Sequence, residues 1–590
     1  MKKNIDQKNL DFTICFIYTK ATMLQKRVSL FFIIIASIFS LTSSVQAALT
    51  PEEEMRARQL QEKEKKLREE IETPKKAPEK EELPALPAGP ESAEKALIKK
   101  INVTGFTILS GKEINDIISP FENKELTLKE MQKVANLITD SYRQKGYINS
   151  TAYLPPQDIK EGVLEIKVVE VVTGEVEIKD NRYFKTSLLR EKIPLKKGEP
   201  FNYNALKKGL TEINKQPDRN AHAVLAPGKE PGTTDIVLDV KDRLPIHVGF
   251  NMDNFGSRYI NKYRYGVNFT HNNLLGFDDK LNFQYQLGQS GRYFLKSINY
   301  LLPVREGWEV GASAFFSRVK LGQDLEDSDV RGKTKLYSLF ANRSLIDTDN
   351  FDLGMNLGFD YKDITNYQLQ AVTSHDKLRE AKIGLDADAS DNFGRTIVTN
   401  ELDFGIPNIM GGLKEQDINA SRSGAGGKFI KDTINLLRLQ KMPFSSTLLC
   451  KNQIQISPYI LTSAEQFQIG GIANVRGYPP AEAVGDKGYS MTWEWSFPPY
   501  FIPKDIKVPF SKAKFYDAFR WAVFYDWANT RLRRPTATES KNQTLRGWGC
   551  GARFNLPEDF SLRIDLGWPL DKTPSDSDHL HTWIQVSKDF

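Results

Sequence analysis

From Pro245 to the last residue the chain alternates apolar and polar positions with a period of two. Leu281, Phe283, Tyr285 and Leu287 alternate with Asn282, Gln284 and Gln286. Tyr489, Met491, Trp493, Trp495 and Phe497 alternate with Ser490, Thr492, Glu494 and Ser496, and Phe560 to Trp568 repeats the pattern against Ser561, Arg563, Asp565 and Gly567. Such a period gives each strand one apolar and one polar face. We count 16 candidate strands in the segment 246–590, an even number with aromatics near the strand ends. This predicts an all-β transmembrane barrel of antiparallel strands, apolar outside and polar inside. A soluble sandwich or propeller also alternates, but its inner face is apolar, whereas these polar faces carry Arg, Asp, Glu and Gln.

Upstream the period changes to that of helices and short strands. Residues 98–172 are expected to hold strand Ile98–Thr104, helices Lys112–Ile118 and Leu128–Lys145, and strands Ile148–Tyr153 and Val163–Val172. Residues 173–243 repeat the order with strand Glu175–Lys179, helices Lys185–Lys192 and Tyr203–Gln216, and strands Ala221–Ala226 and Asp235–Lys241. Two α+β units of the same βααββ order read as a modular arm. Each three-stranded sheet has an edge that can accept an extended peptide. Before them, residues 72–97 carry Pro74, Pro78, Pro84, Pro87 and Pro90, the composition of a semi-rigid linker. Residues 48–71 form a candidate helix with Thr50 as N-cap, Pro51 at the first position and acids in the first turn. Its sizeable apolar residues are Met55, Leu60, Leu67 and Ile71, so it suits either open solvent or a wet, polar cavity. From Thr50 to Ile71 such a helix reaches about 33 Å, enough to thread a barrel.

Lys26-Arg27, the apolar run from Val28 to Phe39 and the small residues ending at Ala47 predict a secretory signal over residues 1–47, with Met23 an alternative start. The formal net charge is +6, and the signal carries six Lys/Arg against two Asp/Glu, which leaves +2 for residues 48–590. That balance argues against nucleic acid as a partner. Cys450 and Cys550 lie beyond the signal. Two cysteines make no disulfide framework, and pairing or independence fits the sequence equally.

The richest connection, 461–486, falls between candidate strands 11 and 12. Its centre reads Gly470-Gly471-Ile472-Ala473-Asn474-Val475-Arg476-Gly477-Tyr478. So apolar a loop suits the lumen, where Arg476 would need an anion. By parity Asp526 on strand 13 faces inward, and Glu494 on strand 12 competes with it. Gly547, Gly549 and Gly551 on strand 14 leave a side-chain-free strip on the inner wall.

Val475-Arg476-Gly477-Tyr478 resembles the VRGY/F signature of the sixth extracellular loop of two-partner secretion transporters, the haemolysin and filamentous-haemagglutinin secretion proteins. Phe524-Tyr525-Asp526-Trp527-Ala528 resembles their F-x-D-x-G strand motif, with Ala528 where glycine is usual. Tyr142-Arg143-Gln144-Lys145-Gly146-Tyr147 followed by Leu154-Pro155-Pro156-Gln157 resembles the first of their two polypeptide-transport-associated (POTRA) domains. The resemblance implies that Arg476 pairs with Asp526 to lock the loop, that the helix at 50–71 plugs the pore, and that the POTRA domains take an unfolded partner in the periplasm. It implies as partners a secreted exoprotein of adhesin or haemolysin kind, outer-membrane lipid, and the barrel-assembly machinery, which would recognise Phe590. A barrel-assembly insertase and a passive solute pore are the competing functions.

No enzyme, cofactor or metal is expected. Gly424-Ala425-Gly426-Gly427-Lys428 lacks the upstream glycine of a phosphate-binding loop, and there is no H-E-x-x-H. His579 and His581 share a strand face, an arrangement more often merely polar than metal-binding.

Overall fold

The computed structural model describes residues 60–65, 67, 68, 71 and 94–590, apart from 160, 261, 306, 324, 325, 510, 537, 538 and 558. The signal-like segment, the start of the candidate helix and most of the proline-rich linker lie outside the described residues.

The first module begins earlier than the pattern suggests. Its β1 (Lys95–Ile98) begins inside the expected linker, takes Ile98 from the expected first strand, and pairs with β3 (Lys124–Thr127). The main sheet holds β2 (Lys100–Thr104), β5 (Val163–Val169) and β4 (Thr151–Tyr153), in that order. Helix α1 (Gly111–Ile118) opens with a capping box in which Ser110 and Glu113 satisfy each other's backbone donors. Helix α2 (Leu128–Gln144) does the same with Thr127 and Glu130. The buried face of α2, Met131, Val134, Ile138 and Tyr142, packs on Leu164, Ile166 and Val168. Tyr142 of the Tyr142–Tyr147 motif ties helix to sheet, its hydroxyl donating to Glu170 at 2.5 Å. Glu170 also accepts the backbone N–H groups of Thr107 and Ile108 at 2.7 and 2.8 Å. Burial alone would raise the Glu170 carboxyl, but these donors outweigh it and hold the group below its ordinary range.

The second module repeats the sheet order with β6 (Val172–Lys179), β8 (Thr233–Asp242) and β7 (Arg219–Pro227), backed by α3 (Thr186–Glu191) and α4 (Tyr203–Asn214). The motif glycine Gly146 stands at the junction of the modules. Its φ of +90° lies in the left-handed region that favours glycine, and its carbonyl accepts the Tyr203 N–H at 2.8 Å. The arm is tied to the barrel by charge: Arg219 grips Asp278 with two bonds of 2.6 and 2.8 Å. Asp218 accepts from Arg243 and Asn272 at 2.8 and 2.7 Å, and lies 2.7 Å from His247.

Sixteen antiparallel strands close the barrel, from strand 1 (Ile246–Asp253) to strand 16 (His581–Asp589). Closure is short: five residue pairs run from Gln585↔Asp253 to Asp589↔Gly249. Phe590 completes the seam by exchanging backbone bonds with Val248 at 2.9 and 3.2 Å, and its ring meets Phe250 edge-on. Both described cysteines are free. The alternation behaves as a membrane barrel demands, with Trp493, Trp495, Trp521 and Trp548 exposed on the outside and Glu494, Asp526 and Asp565 buried within.

Candidate functional site: the loop folded into the lumen

The connection between strand 11 (Ser446–Ile456) and strand 12 (Lys487–Phe497) folds inward, its ends drawn together by a two-stranded ribbon, Phe467–Ile469 with Ala483–Gly485. Gly470 and Gly471 reverse the chain with φ of +107° and +84°. The tip carries Val475, Arg476, Gly477 and Tyr478, of which Val475 and Tyr478 are fully buried.

Arg476 reaches strand 13 (Phe519–Arg531) and meets Asp526. Its Nε and Nη2 donate to the two carboxylate oxygens at 2.9 Å each, and its backbone N–H adds a third bond at 3.1 Å. Nη1 donates to Glu494 at 2.6 Å, so the two carboxylates that parity set in competition both hold the same guanidinium. The guanidinium carbon lies 3.3 Å from the Phe524 ring centroid. Phe524 and Asp526 are two residues apart on one strand face, so one supplies a floor and the other the charge. The Arg476 carbonyl accepts from Trp583 Nε1 at 2.8 Å, a partner on strand 16 that parity did not reveal.

Each expected glycine of strand 14 (Asn542–Leu556) makes room for a different part of this assembly. A Cβ at Gly547 would stand 3.3 Å from the Gly477 nitrogen, so only this one faces the loop. At Gly549 it would meet the Phe524 ring at 2.3 Å, and at Gly551 the Asp565 carboxylate at 2.2 Å. Of the three glycines on the inner-wall strip, Gly547 is thus the one whose absent side chain admits the loop. Strand tilt carries the loop diagonally onto strand 15 (Phe560–Pro569), where a Cβ at Gly567, a glycine outside the expected strip, would stand 2.4 Å from the Arg476 carbonyl oxygen. Gly477 is equally constrained, with Trp568 O at 2.6 Å from a Cβ. Ala528, the departure from the resembled motif, packs in an apolar cluster with Val475, Tyr478 and Leu545.

The helical residues 60–65, 67, 68 and 71 lie inside the barrel. Arg68 donates to Glu494 at 3.0 Å and to Ser496 at 3.2 Å, and is steadied by Glu64 one turn earlier. Leu67 and Ile71 pack on an apolar patch of the lumenal wall formed by Leu437, Leu439 and Leu449. Glu494 thus receives Arg68, Arg476 and, at 3.0 Å, Arg553. Around helix and loop a cavity of about 1700 Å³ remains.

The base of the loop is held on the opposite wall. Glu465, buried, accepts from Lys362 at 2.8 Å and from Lys431. Those lysines also pair along the wall, Lys362 with Glu380 at 2.8 Å and Lys431 with Asp403 at 2.9 Å. At the rim, His581 pairs with Asp576 at 3.1 Å, with Asp578 close by, while the structure does not bring His579 into that group.

A closed barrel of sixteen strands, two POTRA-like modules and an arginine-tipped loop in the lumen set the terms of comparison with known proteins. The family model described as "Haemolysin secretion/activation protein ShlB/FhaC/HecB" matches residues 232–554, and that of the ShlB-type POTRA domain matches residues 96–171. The chain belongs to the ShlB/FhaC/HecB family. Among its relatives, the heme/hemopexin transporter protein HuxB of Haemophilus influenzae is 24% identical over 489 residues, 81% of this chain and 84% of that protein. The hemolysin transporter protein HpmB of Proteus mirabilis is 23% identical over 422 residues, 68% and 72% of the two chains. The solved structure of CdiB from Escherichia coli superposes with a TM-score of 0.69 at 21% identity, covering 92% of this chain and all of that one. As a ShlB/FhaC/HecB protein, the chain is an outer-membrane transporter with its POTRA modules in the periplasm.

Proposed function

We propose that this transporter captures an unfolded partner protein in the periplasm and passes it through its own barrel to the cell surface. The partner is a secreted exoprotein of adhesin or haemolysin kind, a reading supported by the name of the hemolysin transporter HpmB, while that of HuxB speaks of heme/hemopexin. The observation that carries the proposal is the occupant of the lumen. The described helical residues are held there by Arg68 on Glu494 and Ser496, by the more exposed pairs of Lys63 with Asp386 at 3.5 Å and Lys65 with Asp589 at 3.8 Å, and by one small apolar patch, an attachment a passive pore has no use for and an exporter can release. In the second module, β7 offers a docking edge. Asn214 caps Ala221 there with bonds of 2.7 and 3.0 Å, and by the strand's alternation Ala223 and Leu225 turn their backbone groups the same way. An extended segment of the partner adds to that edge as a further strand.

In this mechanism Arg476 and Asp526 keep the loop folded back while the helix leaves and the chain threads past. Phe590, at the barrel seam, is the signal read by the barrel-assembly machinery. The test compares secreted and outer-membrane proteomes with and without this gene. Loss of one large exoprotein with other barrels intact is expected. Depletion of many barrels would replace the proposal with an insertase, and unchanged fractions with a solute pore. Within the same experiment, Arg476→Ala is expected to insert normally and to secrete nothing.

A further inference from the structure

On the POTRA side most barrel turns are minimal, with two or three residues at 348–350, 392–393, 443–445 and 557–559. The connection between strands 12 and 13 is different, for it spans residues 498–518. It folds on itself as a small hairpin, with Val508 N–H bonded to Ala513 O at 2.9 Å and Phe515 N–H to Ile506 O at 2.8 Å. No requirement of barrel closure calls for it.

Its aromatic residues continue the outer surface of the barrel. Tyr500 stacks on Phe497, whose ring touches Trp495 on the lipid-facing side of strand 12. Phe515 stacks on Phe519, which meets Trp521 on the same face of strand 13. The hairpin therefore leans outward, away from the lumen and the path of any transported chain. Beyond these contacts it exposes apolar side chains to a degree unusual for a periplasmic segment: Phe501 is 75% exposed and Ile506 48%. The neighbouring turn adds Phe444, 84% exposed, whose carbonyl accepts the Tyr500 hydroxyl at 2.9 Å. The same connection carries Lys504, Lys507, Lys512 and Lys514 against Asp505 and Asp517, a net charge of +2.

We infer that residues 498–518, with Phe444, form an interfacial anchor that lies in the periplasmic leaflet and binds anionic phospholipid. Aromatic and aliphatic tips enter the headgroup and upper acyl region, where amphipathic rings are most at home. Lys514 pairs with Asp505 at 3.2 Å within the hairpin, and the net positive charge of the lysines meets the phosphates, which attract basic residues held within a Debye length of the surface. Strands 12 and 13 carry Glu494 and Asp526, so the anchor fixes to the membrane the two strands that hold the inward loop.

The test uses the full chain with Cys450 and Cys550 replaced by serine and a fluorophore on Phe501→Cys, folded into vesicles of three parts phosphatidylcholine to one part phosphatidylglycerol. Quenching by headgroup-labelled lipid is compared with quenching by aqueous iodide. Lipid is expected to quench at least about threefold more strongly, and that ratio to fall toward one when all four lysines become glutamine or when phosphatidylglycerol is omitted. Heat-modifiable mobility confirms folding, and Ile506→Cys serves if the first label disturbs it. Dominant iodide quenching in both vesicles would overturn the anchor and place a protein partner or open water at the hairpin. Lipid quenching indifferent to charge would overturn the anionic preference.

Discussion

Glu494→Gln separates the helix in the lumen from the barrel while leaving the loop tip held. The carboxylate receives Arg68, Arg476 and Arg553. Arg476 keeps its three bonds to Asp526, and Arg553 keeps Asp565 at 2.7 Å. Arg68 keeps Glu64 on its own helix, and the helix keeps the more exposed pairs Lys63–Asp386 and Lys65–Asp589, so what the substitution removes without replacement is the buried ionic tie between helix and wall. Both partners of that tie are at least nearly nine-tenths buried, with side-chain exposures of 11% and 1%, so screening by solvent discounts it little. A hydrogen bond to a charged group contributes about 1.5–3 kcal/mol. The ratio of emptied to occupied lumen should then rise about 10- to 150-fold. Planar-bilayer recordings of the purified full chain read that ratio as the fraction of time spent conducting. Arg68→Ala should produce a similar rise, and the double variant less than the product of the two. An unchanged conducting fraction in a folded Glu494→Gln barrel would refute the argument, as would strict additivity with Arg68→Ala.

Arg476→Lys should fail to restore export, since an ammonium cannot match the Nε and Nη2 fork that grips Asp526; the secreted fraction is the measurement. Gly567→Ala drives a methyl against the Arg476 carbonyl and should destabilise the folded-back loop by about 1–3 kcal/mol, seen as faster proteolysis of residues 461–486 in intact barrels. Tyr142→Phe removes the hydroxyl that Glu170 accepts and should cost the first module about 1–2 kcal/mol in denaturant titration. Glu113 is held at about 2 by Lys145 and then by the Ser110 backbone and hydroxyl, below its ordinary 4.5. Its contribution to the α1 cap is present above pH 4.5 and is lost as pH falls toward 2, so amide exchange over 111–118 should accelerate in that window and Glu113→Gln should flatten the response.

The barrel was legible because a period of two is written residue by residue, and parity alone turned Asp526 and Glu494 inward. The loop lay between strands 11 and 12 as expected, since a long glycine-rich break in alternation is a local signal. Long-range placement was less legible. Trp583 and Gly567 reach Arg476 only through barrel curvature and strand tilt, which no local pattern records. The pairing of β1 with β3 was hidden because β1 is only four residues long and sits beside the prolines. Arg68 is one cation among many on a polar helix, and its choice of Glu494 follows from where the helix docks. Leu67 and Ile71 did carry a signal, as two of four sizeable apolar residues on a helix otherwise suited to water.

The two attachments of the inward loop differ in what each leaves behind. If Glu465 swings out, Lys362 still faces Glu380 and Lys431 still faces Asp403, so the wall stays neutralised. If Arg476 swings out, Asp526 stays buried, and among the described residues Arg476 is the cation bonded to it. Stranding a buried carboxylate is far costlier than returning one to water. Under thermal agitation or the drag of a passing chain, the loop therefore lets go at its root before its tip. It behaves as a flap whose hinge is the arginine and whose free hem is Ser463–Glu465.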